Sequence, residues 1–250
     1  NPLASPNIIG VNAGSGLFVL LFACVAPHAL GISAAAAFLG ALASALLVFF
    51  VSAYAGASRL TIVLAGMALT AIFTAGMNTV LIFNPDAYVN SSGFLVGSLS
   101  GVMVSELAIP GIMICAGLIL AMGQGTRLNI LSLGDEGAHA LGLNVNCTRL
   151  ALLSLAALLA GAAVCFSGLI GFVGLIVPHV VRYVAGHDNR RVLVLSPIVG
   201  AILVCACDTI ARTLVAPFEI PVGICMALVG GPFFIYLILR SRKGEVDGRA

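Results

Sequence analysis

AAAAFLGALASALLVFFVSA, residues 34–53, is an unbroken apolar run of twenty residues. Ala and Leu dominate it and nothing in it alternates with period two, so it reads as a helix and not as a barrel strand. A hydrocarbon core about 30 Å thick takes roughly 20 helical residues, and this stretch alone meets that length. The rest of the chain repeats the signal. Apolar residues make up 61% of 250 positions, charged residues only 8%, and the mean hydropathy is +1.18. A soluble domain carries about 25% charged residues because it needs a hydrated surface. With so little charge the solvent must be lipid, which demands that each backbone group be satisfied internally. The expected fold is all-α, a polytopic transmembrane helix bundle in a single domain over residues 1–250.

Eight spans are predicted, at about 11–30, 33–55, 60–83, 105–123, 149–167, 169–186, 192–211 and 220–239, with longer connections at about 84–104 and 124–148. Ten of the eleven basic residues then fall on one side: Arg59, Arg127, Arg149, Arg182, Arg190, Arg191, Arg240, Arg242, Lys243 and Arg249. Only Arg212 falls on the other. Loops rich in Lys and Arg stay in the cytoplasm, so the crowded side is read as cytoplasmic, with both ends of the sequence there. The chain carries no cleavable signal peptide and opens at Asn1-Pro2-Leu3-Ala4, and it reads as a piece of a longer one. Its seven cysteines lie mostly inside apolar runs. Small-residue packing accounts for them better than disulfides or a metal site, so no metal and no cofactor are expected. The spans are rich in glycine, and Gly14-Ser15-Gly16, Gly161-Ala162-Ala163 and Gly171 to Gly174 are read as places where backbones approach closely. Pro178 and Pro232 are expected to interrupt helices at membrane depth. Such breaks are tolerated where protein or a cavity meets the freed carbonyls. Gly171, Gly174, Pro178, His179 and Pro232 are thus candidates to line a path through the bundle, against the plainer reading of helix packing.

Residues 126–142, TRLNILSLGDEGAHALG, are too polar to span and sit on the basic side. Ser132-x-x-Asp135 is expected to cap a short helix, with Asp135 and Glu136 at the positive end of its dipole. Gly142 is placed to end that helix in the left-handed conformation. Leu133, Ala140 and Leu141 give the segment an apolar side. A pair of short helices lying across the cytoplasmic face follows, either a docking surface or a structured connection.

Leu131-Ser132-Leu133-Gly134-Asp135-Glu136, followed by Leu141-Gly142-Leu143, resembles the coupling-helix signature of the FecCD permease family. Three further blocks agree in the same order. They are Asn1-Pro2-Leu3-Ala4-Ser5-Pro6 with Gly10 to Gly14, then Ser167-Gly168-Leu169-Ile170-Gly171-Phe172-Val173-Gly174-Leu175-Ile176-Val177-Pro178-His179, and last Asp208-Thr209-Ile210-Ala211-Arg212 with Glu219-Ile220-Pro221-Val222-Gly223 and Gly230-Gly231-Pro232-Phe233-Phe234. Gly231 and Ile220 depart from the residues commoner in that family. The resemblance implies the membrane subunit of a type II ABC importer for iron–siderophore, haem or cobalamin, in a bacterial inner membrane. Family frequency favours an iron–siderophore. It also implies separate ATPase subunits on the cytoplasmic face, a second permease subunit, an extracytoplasmic binding protein, and a usual count of ten spans, of which about two would be missing here. No nucleic acid is implied. Leu131 to Glu136 with Leu141 and Gly142 would couple to the ATPase, and Arg212 would dock a carboxylate of the binding protein.

Arg212 also follows Asp208 by four residues, so the two share a helix face in the favourable acid-first order. Mutual neutralisation and docking both remain open for it. His179, three before Arg182, is weighed as packing against a proton relay. His28, His139 and His187 lack metal-ligand spacing, and Glu106 and Asp86 border the outer side. Arg182, His187, Asp188, Arg190 and Arg191 are read as an orientation anchor near anionic headgroups. An ion-coupled secondary transporter is the alternative, but it needs ionisable residues near the midplane, for which only Asp208 and His179 offer themselves. The sequence contains no H-E-x-x-H, no G-x-S-x-G and no Walker A loop, which argues against an enzyme and against ATP use by this chain itself.

Overall fold

A computed structural model describes residues 10–25, 30–55, 59–214 and 218–247. The Asn1 to Pro6 block, His28 and Arg249 lie outside them, as do the side chains of Arg59, Glu106, Arg240, Arg242 and Lys243. In chain order the helices are α1 (Val11–Val25), α2 (Leu30–Tyr54), α3 (Arg59–Phe83), α4 (Pro85–Val96), α5 (Ala108–Met122), α6 (Gly125–Ser132), α7 (Asp135–Ala140), α8 (Val145–Ser167), α9 (Val173–Ala185), α10 (Asn189–Leu214) and α11 (Val222–Asp247), with a 3-10 turn at Val104–Leu107. No strand occurs among the described residues. The all-α expectation holds.

Each predicted span contains a helix, yet the count of eight crossings is not established. By length and apolarity four helical segments reach across a bilayer: Ala35–Tyr54, Thr61–Phe83, Val145–Ser167 and Asn189–Leu214. The pair α5 and α6, bent by 54° at Gly123, is a fifth if taken as one broken span. α1, α9 and Val222–Leu237 are apolar but shorter. At 1.5 Å per residue, the 13 residues of α9 reach only about 20 Å.

Two expectations are corrected. Residues 84–104 were expected to be a connection, but Pro85–Val96 is helical. Pro85 sits at the helix start, where its missing N–H costs nothing, Asp86 faces the dipole, and Gly97 ends the helix at φ +83°. Pro178 and Pro232 do not break their helices; each lies inside a continuous one, as does Pro197 in α10. The real interruption is Gly168 to Phe172, between α8 and α9. Gly168 packs against the Phe94 backbone too closely for a side chain, and Phe172 holds φ +65°, the one non-glycine residue at positive φ among those described.

The core divides into two units. In the first, α1, α2 and α8 bury Val11, Ala41, Ala45 and Ala157 in one cluster and Val19, Ala36, Ala37 and Val164 in another. Gly14 and Gly40 bring the α1 and α2 backbones together: a Cβ on Gly14 would lie 2.6 Å from the Gly40 carbonyl oxygen. In the second, α9, α10 and α11 bury Ile176, Cys207, Val222 and Met226, with Val177, Val181 and Val192 nearby. Outside these cores large apolar side chains face outward, Ile72, Ile82, Ile109, Ile119 and Ile202 among them. Such a surface suits lipid and not water.

Candidate functional site

The polar end of the bundle is built on α6 and α7. Gly134 joins them at φ +93°, ψ +171°, a region only glycine occupies without strain, and it serves as the N-cap of α7. Ser132 does not cap α7, contrary to expectation. It ends α6, and its hydroxyl donates to the Asn129 carbonyl at 2.6 Å. The acidic first turn is as expected, with Asp135 and Glu136 leading α7. So is the end. Gly142 has φ +77°; its N–H donates to His139 O at 2.9 Å, and Leu143 N–H donates to Ala138 O at 3.0 Å. This pair of bonds is a Schellman ending. Ala138 turns inward, while Leu133 and Leu141 are 65% and 61% exposed beside Asp135, Glu136 and His139. Leu131 is half-buried. The short helices therefore present two leucines within an acidic rim.

Their attachments differ. α7 is joined to α8 by an ion pair, Asp135 to Arg149 at 2.6 Å. α6 is held against the α9–α10 corner by a network. Asn129 Nδ2 donates to Asp188 Oδ1 at 2.8 Å, and Asn129 Oδ1 accepts the Asn189 N–H at 3.0 Å. The same Asp188 oxygen accepts the Arg190 N–H at 3.0 Å, capping α10. Arg190 donates to Thr126 Oγ1 at 2.6 Å, and Arg182 donates to Asn189 Oδ1 at 2.7 Å. Gly125 admits the Arg190 stem, since a Cβ there would lie 2.6 Å from Arg190 Cγ. The Asn129 hydrogen bond, then that of the Arg190 N–H, holds the Asp188 carboxyl below its ordinary range; partial burial opposes them and the charges of Arg190 and Arg191 assist. What reads in sequence as an orientation anchor is thus a set of named bonds across about sixty residues, with no local signal for Thr126 or Asn129.

At the interruption, Ile170 O accepts from Asn12 Nδ2 at 3.5 Å, and Leu169 N–H donates to Phe94 O at 2.9 Å. The Phe172 ring lies against Gly230 of α11 with no room for a Cβ. A cavity of about 340 Å³ opens beside it, lined by Asn12, Ser167, Phe172, Gly174 and Val204 among others. Gly174 lines it; Gly171, Pro178, His179 and Pro232 do not. His179 packs edge-on to Phe233 with ring centroids 6.0 Å apart, the arrangement of a packed core ring.

At the far end of α10, Arg212 donates to Asp208 at 2.8 Å, the expected intrahelical pair, and remains 41% exposed. Ser100 donates to Glu219 at 2.5 Å, and Ile220 N–H reaches Ala211 O at 3.5 Å, which brings Glu219 beside this helix end. The 26 residues of α10 put Arg190 and Arg212 about 30 Å apart along the axis, one at each end of the bundle.

A family profile described as the FecCD transport family matches residues 1–240. The chain belongs to the FecCD family. Among its FecCD relatives, the hemin transport system permease protein of Yersinia pestis is 40% identical over 249 residues, covering 97% of this chain and 75% of that one. The Fe(3+)-citrate import system permease protein of Bacillus subtilis is 37% identical over 245 residues, covering 98% and 72%. The cobalamin import system permease protein of Halobacterium salinarum is 38% identical over 248 residues, covering 97% and 65%. A solved structure, reported as a metal-chelate type ABC transporter in an inward-facing conformation, superposes with a TM-score of 0.87 at 30% identity over 96% of this chain and 77% of that one. FecCD membership and the apolar helices make this a multi-pass membrane protein.

Proposed function

We propose that this chain is the transmembrane permease subunit of a binding-protein-dependent ABC importer that passes a metal chelate, an iron–siderophore complex first among the candidates. Residues 1–250 act as one permease domain, and the eight apolar helices all cross or enter the bilayer, the shorter ones packed against longer neighbours. ATP hydrolysis belongs to a separate subunit. The single observation that carries this reading is the α6–α7 pair within a FecCD fold: a rigid polar platform, capped at Gly134 and Gly142, with Leu133 and Leu141 displayed in an acidic rim. Leu131, Ser132, Leu133, Gly134, Asp135, Glu136, Leu141 and Gly142 form the ATPase contact. Arg212, exposed at the opposite end, meets an acidic residue of the binding protein while Asp208 orients its guanidinium. A second permease subunit completes the path, and the cavity beside Phe172 and Gly174 gives the α8–α9 interruption room to move. An ion-coupled carrier finds less support. Among the described residues the buried polar side chains are hydroxyls, Ser15, Ser44, Ser52, Ser91 and Thr148, and no Asp, Glu, His, Lys or Arg is buried.

The test is uptake by whole cells in which this gene is deleted and then restored. Deletion is expected to abolish accumulation of one labelled chelate among ferric siderophores, hemin, ferric citrate and cobalamin. Unchanged accumulation of all of them would reject the proposal.

A further inference from the structure

The side-chain bonds of the two short helices reach different parts of the molecule. α7 is joined to α8, in the unit formed with α1 and α2, by the Asp135–Arg149 pair, and Asp135 is 53% exposed. α6 is joined to the α9–α10 corner of the other unit by the bonds from Asn129 to Asp188 and Asn189, and from Arg190 to Thr126. Between α6 and α7 stands Gly134, at a backbone conformation other residues avoid. Between the two units stands the non-helical stretch from Gly168 to Phe172.

Both ends of the Asn129 amide are used, which fixes its orientation: the nitrogen must face Asp188 and the oxygen the Asn189 N–H. Because Asp188 Oδ1 also caps α10 through the Arg190 N–H, a displacement of Asn129 acts directly on the first turn of that helix. Arg182 extends the same link to the last turn of α9 through Asn189. A set of hydrogen bonds at a helix start transmits displacement more stiffly than one partly exposed ion pair.

We infer that Asn129 and Asp188 are positioning residues for energy coupling, a clasp that makes α6 the handle of the α9–α10–α11 unit and directs movement received at the α6–α7 platform into that unit. The inference rests on the platform being the ATPase contact. It adds which half of the permease is driven and through which side chains.

The test uses the complete importer in proteoliposomes, permease with its ATPase and binding protein, supplied with whichever of hemin, ferric citrate or a ferric hydroxamate gives the highest uptake. The readout is chelate accumulated per ATP hydrolysed, which a purely structural role would not move in an assembled complex. Asn129→Asp sets two carboxylates against each other and should lower that ratio by about fivefold or more, the low end of a coupling effect, while ATPase still co-purifies and hydrolyses. Asn129→Asp with Asp188→Asn re-forms the bond between the two side chains with donor and acceptor exchanged, though the Arg190 N–H loses the oxygen it shared, and should recover the ratio in part. In a cysteine-free background, Asn129→Cys and Asp188→Cys joined by a short reducible bis-thiosulfonate linker should still transport, because the clasp stays shut through the cycle. A wild-type ratio in Asn129→Asp, a double variant no better than the single one, or transport blocked until the linker is reduced would each overturn the clasp. Failure of the platform itself looks different. Leu133→Glu with Leu141→Glu would then leave ATPase assembly intact, whatever the clasp variants do.

Discussion

At Gly134 and Gly142 the residue and its backbone conformation are inseparable. Neither has an atom within reach of an added Cβ, so any cost of substitution comes from φ alone. A left-handed conformation costs a non-glycine residue about 1–2 kcal/mol, and the Gly134 region somewhat more, about 1–3 kcal/mol. Gly142→Val and Gly134→Val should therefore leave the protein inserted but loosen the platform, and the yield of chelate per ATP should drop for both. Normal coupling with both changes would show that α6 and α7 are a connector. Asp188 makes a prediction about pH. Its carboxyl titrates below its ordinary value, so its contribution to stability is fully present above about pH 4 and is lost as pH falls through the lowered folded value. The difference in melting temperature between wild type and Asp188→Asn should be flat from about pH 5 to 8 and shrink under more acid conditions. Arg212 makes the third. If it docks a partner, Arg212→Glu should leave abundance near normal and slow association with the binding protein in a salt-sensitive way. If it only neutralises Asp208, Arg212→Ala should cut abundance and Asp208→Asn should partly restore it.

Among the elements, the interruption at Gly168 to Phe172 is the one with stored strain. Phe172 keeps a conformation that a bulky residue reaches only under constraint, and its ring fills the place where Gly230 has no side chain. Gly230→Ala pushes a methyl into that ring and should cost about 1–3 kcal/mol, read as a lower melting temperature, with Phe172→Gly relieving most of it. Some elements are legible in the sequence and others are not, for physical reasons. Helix existence was legible because apolar runs of bilayer length are unambiguous. The Gly142 ending was legible because a glycine after Ala140-Leu141 has few other uses. α4 is hard to read because Asn90, Ser91, Ser92 and Gly93 look like a loop, although Pro85 and Asp86 mark a helix start. Pro178 and Pro232 carry the signal of a helix break, yet both, like Pro197, sit inside helices because neighbouring turns in a packed bundle accommodate them. Ser132 has the cap's signature, but α6 runs through it, and Gly134 caps α7 in a backbone conformation that only glycine holds cheaply. The Asn129–Asp188 link had no signal at all, because its partners meet only once α6 and α10 are folded.

Across the whole molecule, the distribution of basic residues and the fold agree. Arg182, Arg190 and Arg149 gather at the end that carries α6 and α7, and Arg212 stands at the other. The orientation we propose from this has the platform inside the cell. Single cysteines at Asn90 and Phe218, in a cysteine-free background, should react with an impermeant thiol reagent added to intact cells, and cysteines at Gly134 and Asn189 should not. The reverse pattern would invert the molecule and take the ATPase contact away from α6 and α7. Two helical units, one interruption between them and a platform fastened to both suit a machine that alternates between states, and an ATP-driven chelate importer is such a machine. The most direct measurement is accumulation of labelled ferric chelate in proteoliposomes holding the permease and its ATPase, with ATP enclosed and binding protein outside or each omitted in turn. Accumulation that needs both is the predicted result; accumulation indifferent to ATP and to binding protein, or driven by an ion gradient in their place, would contradict it.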